Sequence, residues 1–232
     1  MKSHSVTVPI AAALCLFAAV AFAVPQRVTL RYDVSRNGTA MVEATEILEH
    51  DGHSYRIQTE WRGKGLFALS ARGSAKRSSR GAIDAQGLSP VEFRDQRGDD
   101  PVGVARFDWG KKILIRERDG RIETEPLPAR TQDRLSFAYG FAFSPPAGAE
   151  ISVVMADARG LSRHRYVVAG RETLKTGAGE FEALKLVKQR DAGDERGTEI
   201  WLATQRDFLP LRVLVIEKDG TRLDQVVTRI ES

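Results

Sequence analysis

Alternating apolar and polar residues recur along most of the chain, and this period of two is typical of β-strands with one buried face. The first such run covers residues 27–35, and similar runs follow at 41–48 and 55–61. The apolar face of the first run consists of Val28, Leu30, Tyr32 and Val34. Asn37-Gly38 and Asp51-Gly52 separate the runs, and both pairs favour tight hairpin turns. We therefore predict an antiparallel meander in this region.

Turn signals and alternating runs continue to the end of the chain. The later predicted strands are 88–93, 102–109, 112–118, 121–125, 150–156, 163–168, 180–190, 198–203, 210–217 and 221–230. Between the first two of these, residues 94–101 are mostly polar, and we predict a loop there. Many short strands with regular turns favour a mostly β fold, in which one large antiparallel sheet is curved into a half-barrel or a barrel-like form.

Residues 131–143 carry two competing patterns. Helical spacing is found for Leu135, Ala138, Tyr139 and Ala142, whereas strand spacing is found for Leu135, Phe137, Tyr139, Phe141 and Phe143. The flanks favour a helix, because Thr131 is a candidate N-cap and Asp133 would lie in the first turn. Pro145 ends the segment, since the residue before a proline avoids helical geometry. Gly140 opposes a helix by about 1 kcal/mol.

We predict one central helix near residues 131–143. Small alanines and large aromatic rings surround it almost completely, and such a helix is buried. Two interpretations remain open for its role. The segment either fills the core or acts as a plug that shapes an apolar cavity.

The first 23 residues have the features of a secretory signal peptide. Lys2 precedes a run of apolar residues at 6–21, and Ala21-Phe22-Ala23 is an A-x-A cleavage site. We expect cleavage after Ala23, a periplasmic location, and a single antiparallel β domain at residues 24–232. Cys15 is the only cysteine of the chain, and Leu14 before it is too bulky for a lipoprotein processing site. The mature chain would therefore have no disulfide and no thiol.

Charge narrows the range of partners. The formal net charge of the whole chain is +4, and removal of the signal peptide with Lys2 would leave +3. Such a mild and evenly mixed charge does not indicate nucleic-acid binding by an exported protein. No apolar run after the signal peptide is long enough to cross a membrane.

Residues 62–83 are locally basic, with six cations and no acidic residue before Asp84. The cations are Arg62, Lys64, Arg72, Lys76, Arg77 and Arg80. They fit a solvated sheet edge, where lysine and arginine block unwanted strand pairing. Alternatively, they form a strip that contacts the phosphate or carboxylate groups of envelope lipids or glycans.

Aromatic residues supply the candidate ligand-binding side chains. They are Trp61, Phe67, Trp109, Phe137, Tyr139, Phe141 and Trp201. Core packing or contact with a sheet face is the simpler account of these rings. The alternative is an apolar ligand cavity with these rings in its walls.

Catalytic and metal-binding patterns are weak. His50 and His53 bracket a hairpin turn, and with His164 distant in sequence we expect no metal site or cofactor. Ser162 lacks the Gly-x-Ser-x-Gly elbow of many serine hydrolases. Glu180 and Glu182 share one face of a predicted strand and would meet solvent. We therefore expect no enzymatic activity.

Several short motifs, in order, carry a resemblance to a known family. They are 30–34 with Asn37-Gly38, 87–90 with Phe93, 132–136 with Tyr139, 179–183, 199–202 and 209–212. Over about residues 27–230 the chain resembles an exported bacterial family, domain of unknown function 3108. The resemblance implies a periplasmic location and an antiparallel β fold, but no catalytic residues. The outline is also similar to the half-barrel of outer-membrane lipoprotein carriers, by analogy of fold alone.

Two functions follow as expectations. The first is a non-enzymatic periplasmic protein that binds a lipid or another apolar or amphipathic envelope component in a β cavity. The alternative is an interaction module that docks an envelope protein through its sheet and has a fully packed core. An apolar cavity of about 300–1,000 Å³ favours the first, and a filled core with an exposed apolar patch favours the second.

Overall fold

A computed structural model shows one antiparallel sheet of 14 strands and one short helix. It describes residues 24–65, 68, 74–190, 193 and 195–232. The strands are β1 (Arg27–Arg36), β2 (Thr39–His50), β3 (Ser54–Gly63), β4 (Ala75–Asp84), β5 (Gly87–Arg97), β6 (Gly103–Asp108), β7 (Ile113–Arg118), β8 (Arg121–Pro126), β9 (Glu150–Asp157), β10 (Gly160–Thr176), β11 (Gly179–Lys188), β12 (Gly197–Ala203), β13 (Pro210–Ile216) and β14 (Arg222–Glu231). The helix α1 (Arg134–Gly140) lies between β8 and β9. The predicted mostly β fold is confirmed.

Neighbouring strands in the sheet are also neighbours in sequence, with one exception. The order runs from β8 down to β1, continues with β14, and runs down to β9. The first and last strands are therefore paired in the middle of the sheet, as Leu30 opposite Ile230 illustrates. β8 and β9 are left as the two edges, and the sheet is curved but not closed.

Tight turns connect the first hairpins as predicted. Asn37 and Gly38 have φ values of 51° and 83°, the left-handed conformations that a two-residue hairpin turn requires. At the next turn the Asp51 carboxylate accepts hydrogen bonds from the backbone amides of His53 (2.9 Å) and Ser54 (2.6 Å). These bonds lower the pKa of Asp51 to about 2. The interpretation of residues 50–53 as a hairpin tip is confirmed.

The predicted bounds of the central helix are wrong. The helix begins at Arg134, and its N-cap is Asp133 rather than Thr131. Gln132 cannot be helical, because its backbone pairs with the edge strand β9 (its amide to Val154 O, 2.8 Å; its carbonyl from the Ala156 amide, 2.8 Å). The last residues of the predicted segment, 141–143, form a turn after the helix.

The loop predicted at 94–101 is also partly wrong. β5 extends to Arg97, and its last residues pair with β4. A cross-strand ion pair between Arg77 and Asp95 (2.8 Å) neutralises the charge of Asp95, so that this polar part of the chain can remain in the sheet. Charge alone therefore does not mark a loop in this sheet.

The curved sheet encloses α1 and the main core. Buried side chains from both halves of the sheet meet at its concave face, among them Tyr32, Phe93 and Leu211. The expected burial of Leu135, Phe137 and Tyr139 is confirmed, with exposed fractions of 6%, 7% and 1%. None of the helices in the described part of the chain has the length and apolar character needed to cross a membrane. The predicted signal peptide, residues 1–23, lies outside the described residues.

Candidate functional site

A cavity of about 400 Å³ lies between α1 and the concave face of the sheet. Its lining includes residues close to the ends of many strands: Val34, Trp61, Ala75, Arg97, Lys188, Val215 and Leu223. The strand registers place these residues at the same end of the sheet. The side chain of Arg97 is 51% exposed. The cavity therefore opens at this end, which we call the rim.

Apolar side chains form most of the wall. α1 contributes Leu135, Phe137 and Ala138, and β12 and β13 contribute Ile200 and Val213. Phe137 is fixed by two further rings, Phe141 (5.1 Å between centroids) and Tyr166 (5.0 Å). The wall is therefore a packed surface with a defined shape.

Asp133 positions the helix against the sheet. Its carboxylate accepts hydrogen bonds from the amides of Leu135 (2.8 Å) and Ser136 (2.9 Å), which satisfy two N–H groups of the first turn. It also accepts a bond from the Ser79 hydroxyl of β4 (2.6 Å). Burial raises the pKa of Asp133, and these hydrogen bonds oppose the shift. One side chain thus sets both the start of α1 and its distance from β4.

A buried carboxyl group lies at the inner part of the cavity. Glu46 of β2 is 6% exposed and accepts hydrogen bonds from the Tyr139 hydroxyl (2.6 Å) and the Gln225 amide (3.2 Å). Burial raises the pKa of Glu46, and its hydrogen bonds oppose that shift. Burial and the nearby Glu46 raise the pKa of Tyr139 well above its usual value. The inner part of the cavity therefore disfavours a negative charge.

Basic side chains surround the rim. The cationic lining residues are Arg77, Arg97, Arg134, Lys188 and Arg196, and the acidic ones among the described residues are Glu46 and Glu217. Arg77 is almost buried and lies over the Trp61 ring, 4.9 Å from its centroid. Arg196 is paired with Glu217 at 2.9 Å. Cations are thus concentrated towards the rim, but Arg77 lies farther in, in register with Thr59 and Glu46, and its positive charge lowers the pKa of Glu46.

Three of the six candidate aromatic residues that the structure describes line this cavity: Trp61, Phe137 and Tyr139. Phe141 is buried behind Phe137. Trp109 donates to the carbonyl of Pro90 (2.8 Å) and stacks on Phe107, away from the cavity. Phe67 lies outside the described residues.

Trp201 also lies outside the cavity lining, although its neighbour Ile200 belongs to it, and it is part of the main buried core. Lys185 and Arg212 lie over its ring at 4.7 and 4.5 Å. These long side chains cover the ring, which is only 2% exposed.

Of the five candidate cations that the structure describes, Arg77 alone lines the cavity. Arg62 and Arg80 face carboxylates (Glu60, 3.1 Å; Glu92, 3.2 Å). Lys64 pairs with Asp33 and Glu43. Lys76 alternates with Arg77 and lies opposite Glu60 on the convex face. Arg72 lies outside the described residues.

Glu46, Arg97 and Arg134 were not among the site residues predicted from the sequence. The position of Glu46 carried a signal, because it alternates with Ala44 and Leu48 on the buried face of β2. An acidic residue at an apolar position of a strand indicates a buried carboxyl group. No comparable signal was available for the two arginines, which meet only because the sheet curves.

Other chemical groups are less organised. Ser162 and His164 contact each other at 2.9 Å on β10. Glu180 and Glu182 are exposed at a hairpin. Within the described ranges, no three His, Cys, Asp or Glu side chains are grouped so that they could hold a metal ion.

Comparison with known proteins supports the fold. The crystal structure of a β-barrel-like protein of domain of unknown function DUF1849 from Brucella abortus has a TM-score of 0.58 and 10% identity, and covers 88% of this chain and 97% of that chain. A Bacteroides fragilis protein with a YmcC-like fold has a TM-score of 0.38 and 11% identity, and covers 88% and 95%. The latter score is too low to support an argument.

Sequence comparison identifies the family. No curated protein matches the chain significantly. A family model described as protein of unknown function DUF3108 matches residues 28–227, which is most of the chain. The chain therefore belongs to the DUF3108 family of proteins of unknown function.

Proposed function

We propose that this protein is a non-enzymatic, periplasmic binding protein that takes up an apolar or amphipathic component of the cell envelope. The observation that carries the proposal is the cavity between α1 and the sheet. Its volume of about 400 Å³ lies within the range of about 300–1,000 Å³ that is usual for small-molecule sites. Apolar walls with a few polar groups are also typical of such sites.

The signal-peptide features of residues 1–23 support the periplasmic location. N-terminal sequencing of the protein from the periplasmic fraction should begin at Val24. A protein that retains Met1 and remains with the membrane would contradict this location.

Docking of an envelope protein through the sheet has less support. That alternative requires a filled interior, whereas the interior contains the cavity. The edge strand β8 exposes Ile122, but charged residues flank it and Pro126 ends it. Charges and proline on an edge strand disfavour pairing with another chain.

Binding can be tested in two steps. Native mass spectrometry of protein purified from its own periplasm should show a non-covalent ligand, which organic extraction then releases for identification. The neutral fluorescent probe N-phenyl-1-naphthylamine should bind the extracted protein, and single-chain amphiphiles should displace it.

A cavity-filling variant makes the test specific. Ala138→Phe places a ring into the cavity from α1 and should weaken probe binding at least about tenfold, equivalent to about 1.4 kcal/mol. Ala40→Phe makes the same change at an exposed site of β2 and should leave binding unchanged. Equal probe binding in both variants, or no probe binding in the wild type, would contradict the proposal.

A further inference from the structure

Two rim arginines, Arg97 and Arg134, have no close carboxylate partner among the residues that the structure describes. The nearest ion-pair contact of Arg97 is Asp95 at 3.8 Å, and that of Arg134 is Asp157 at 3.8 Å. Neither side chain makes a hydrogen bond to another described residue within normal range, and both line the cavity. Arginine normally uses its planar donors for close bonds to carboxylate or phosphate. These two therefore have donor capacity available at the cavity opening.

Asp95 cannot neutralise both of its neighbours equally. It forms a short hydrogen bond to Arg77 (2.8 Å), whose guanidinium is held over Trp61 and is almost buried. Arg97 shares the other oxygen of the same carboxylate at 3.8 Å. Two arginines thus share one carboxylate, and the positive charge of Arg97 is only partly neutralised.

The electrostatics of Arg134 agree with this geometry. Partial burial lowers the pKa of Arg134, and the positive charges of Arg77 and Arg97 lower it further. Asp95 and Asp157 oppose the shift. The three arginines are therefore near enough to repel one another, and a bound anion between them would relieve that repulsion.

The two ends of the cavity differ in the charge that they accept. Cations dominate the rim, whereas Glu46 and Tyr139 occupy the inner part. An anionic group is attracted by the cations of the first, whereas burial disfavours a negative charge at the second, as the raised pKa of Glu46 indicates. An apolar body fits between them, against Phe137 and Ile200.

Resting on the proposed function, we infer that the ligand is an amphiphile with an anionic carboxylate or phosphate head group. The head group binds at the rim to Arg97 and Arg134, and Arg77 adds a third positive charge next to them. The apolar chain of the amphiphile enters the cavity alongside α1. Charge-assisted bonds to carboxylate or phosphate are about twice as strong as neutral ones, so the head group should contribute strongly to affinity.

Pairs of probes with the same chain and different head groups test this inference. Palmitic acid is compared with hexadecanol, and oleoyl lysophosphatidic acid with monooleoylglycerol, by displacement of N-phenyl-1-naphthylamine. We expect the wild type to bind each anionic member at least about tenfold more tightly, equivalent to about 1.4 kcal/mol. In Arg97→Gln/Arg134→Gln this preference should fall to less than about twofold, because binding of the anionic member is weakened.

Arg62→Gln is the matched control, because it removes one positive charge from an outward-facing side chain that is 78% exposed. It should retain the preference. A second measurement needs no variant: rising salt should weaken binding of the anionic members and not of the neutral ones. This measurement keeps the inference testable if the double variant does not fold.

The outcomes separate the two proposals. Equal binding of both members of each pair by the wild type would overturn the head-group inference and leave the binding function intact. Failure of every amphiphile and of the probe to bind would overturn the binding function itself. Inorganic phosphate should not displace oleoyl lysophosphatidic acid at similar concentrations. If it does, the rim is a site for a free anion, and the inference is wrong.

Discussion

Glu46 shows how a single residue can conflict with its surroundings and still fit the fold. It occupies an inward position of β2, where its neighbours on the same face are Ala44 and Leu48. Tyr139 and Gln225 satisfy both of its oxygens, so the carboxyl group is hydrogen-bonded although it is buried. Burial of a charge is nevertheless unfavourable. The folded state should therefore hold the proton of Glu46 more tightly than the unfolded state does.

Replacement of Glu46 by glutamine should change the pH dependence of stability. The raised pKa of Glu46 means that its contribution to stability is complete below the unfolded pKa of about 4.3. That contribution is lost as the pH rises through the folded pKa. Glu46→Gln should thus be more stable than the wild type at pH 8, and the difference should vanish towards pH 4. Urea unfolding at several pH values measures this difference in the free energy of unfolding.

Glu43→Gln serves as the control on the opposite face of the same strand, where the side chain is 43% exposed. It should lack the gain in stability at high pH. A Glu46→Gln protein that is less stable than the wild type at pH 8 would show that the charged carboxylate is stabilised in the fold.

At the scale of elements, α1 has only seven residues, too few to be stable alone. It persists because Asp133 satisfies its first turn and because its rings are buried. Phe137 has two roles, since it packs on Phe141 and Tyr166 and also lines the cavity. Core packing and the shaping of a cavity are therefore combined in one side chain.

Truncation of Phe137 separates these roles when compared with truncation of Phe141. Both rings are 7% exposed, and loss of a buried phenylalanine costs about 3–5 kcal/mol. Each alanine variant should lower the melting temperature by about 6–20 °C for a chain of this size. Only Phe137→Ala should also alter the affinity for N-phenyl-1-naphthylamine. An unchanged melting temperature of Phe137→Ala, measured by circular dichroism, would contradict the packing.

The β4–β5 hairpin depends on a glycine at a bulge. The register shifts between Arg80 and Gly81, and Gly81 lies opposite Pro90. Pro90 has no amide hydrogen to donate to a hydrogen bond between the strands. Bulges are among the few places where a sheet tolerates proline. A Cβ atom on Gly81 would lie 2.1 Å from the carbonyl oxygen of Ser89. The two backbones thus approach too closely for any side chain.

Gly81→Ala should therefore lower the free energy of unfolding by about 1–3 kcal/mol, the usual cost of overpacking. Gly140→Ala is the matched comparison, because no heavy atom beyond the chain neighbours and the backbone of the helix itself lies within 4 Å of an added Cβ there. It should be neutral or slightly stabilising, since alanine favours a helix. Urea denaturation of the two variants measures the contrast, and equal stabilities would argue against the close approach.

At the scale of the whole molecule, the curved sheet is held by contacts across its open side. Gln132 bridges that side, because its backbone pairs with β9 and its side-chain amide donates to the Leu88 carbonyl of β5 (3.0 Å). Farther along, Arg116 of β7 donates to the carbonyl of Arg159 in the β9–β10 turn (3.0 Å). These bonds fix the curvature that creates the cavity.

Gln132→Ala should loosen this side without unfolding the sheet. Loss of one hydrogen bond costs about 0.5–1.5 kcal/mol, so the global stability should fall only slightly. Hydrogen exchange should accelerate at the amides of residue 132 and Ala156, which bond across the open side. Amides between β1 and β14 should exchange as in the wild type. Uniform acceleration over the whole sheet would show that Gln132 has no local role.

The sequence by itself determined most of the strands and turns and the burial of the central rings, although β4 lies inside the sheet, between β3 and β5, and not at an edge. These properties follow from local rules, because alternation selects a face of a strand and Asn37-Gly38 has few conformations other than a tight turn. The burial of Phe137 and Tyr139 also follows, since an apolar segment cannot remain in water. The type of the central element was predictable from its flanks, Asp133 and Pro145, but its first residue was not.

Only the tertiary structure decided where the cavity lies and which charges surround it. Arg97 and Arg134 are far apart in sequence and on different elements, and they meet because the sheet curves around α1. The alternation of apolar and polar residues predicts on which face of the sheet a side chain lies. It does not predict how far the sheet bends or which strand ends lie close together. The first residue of the helix was likewise decided by a long-range contact, because the backbone of Gln132 pairs with the edge strand β9. Long-range contacts, which no local pattern encodes, therefore assembled the candidate site.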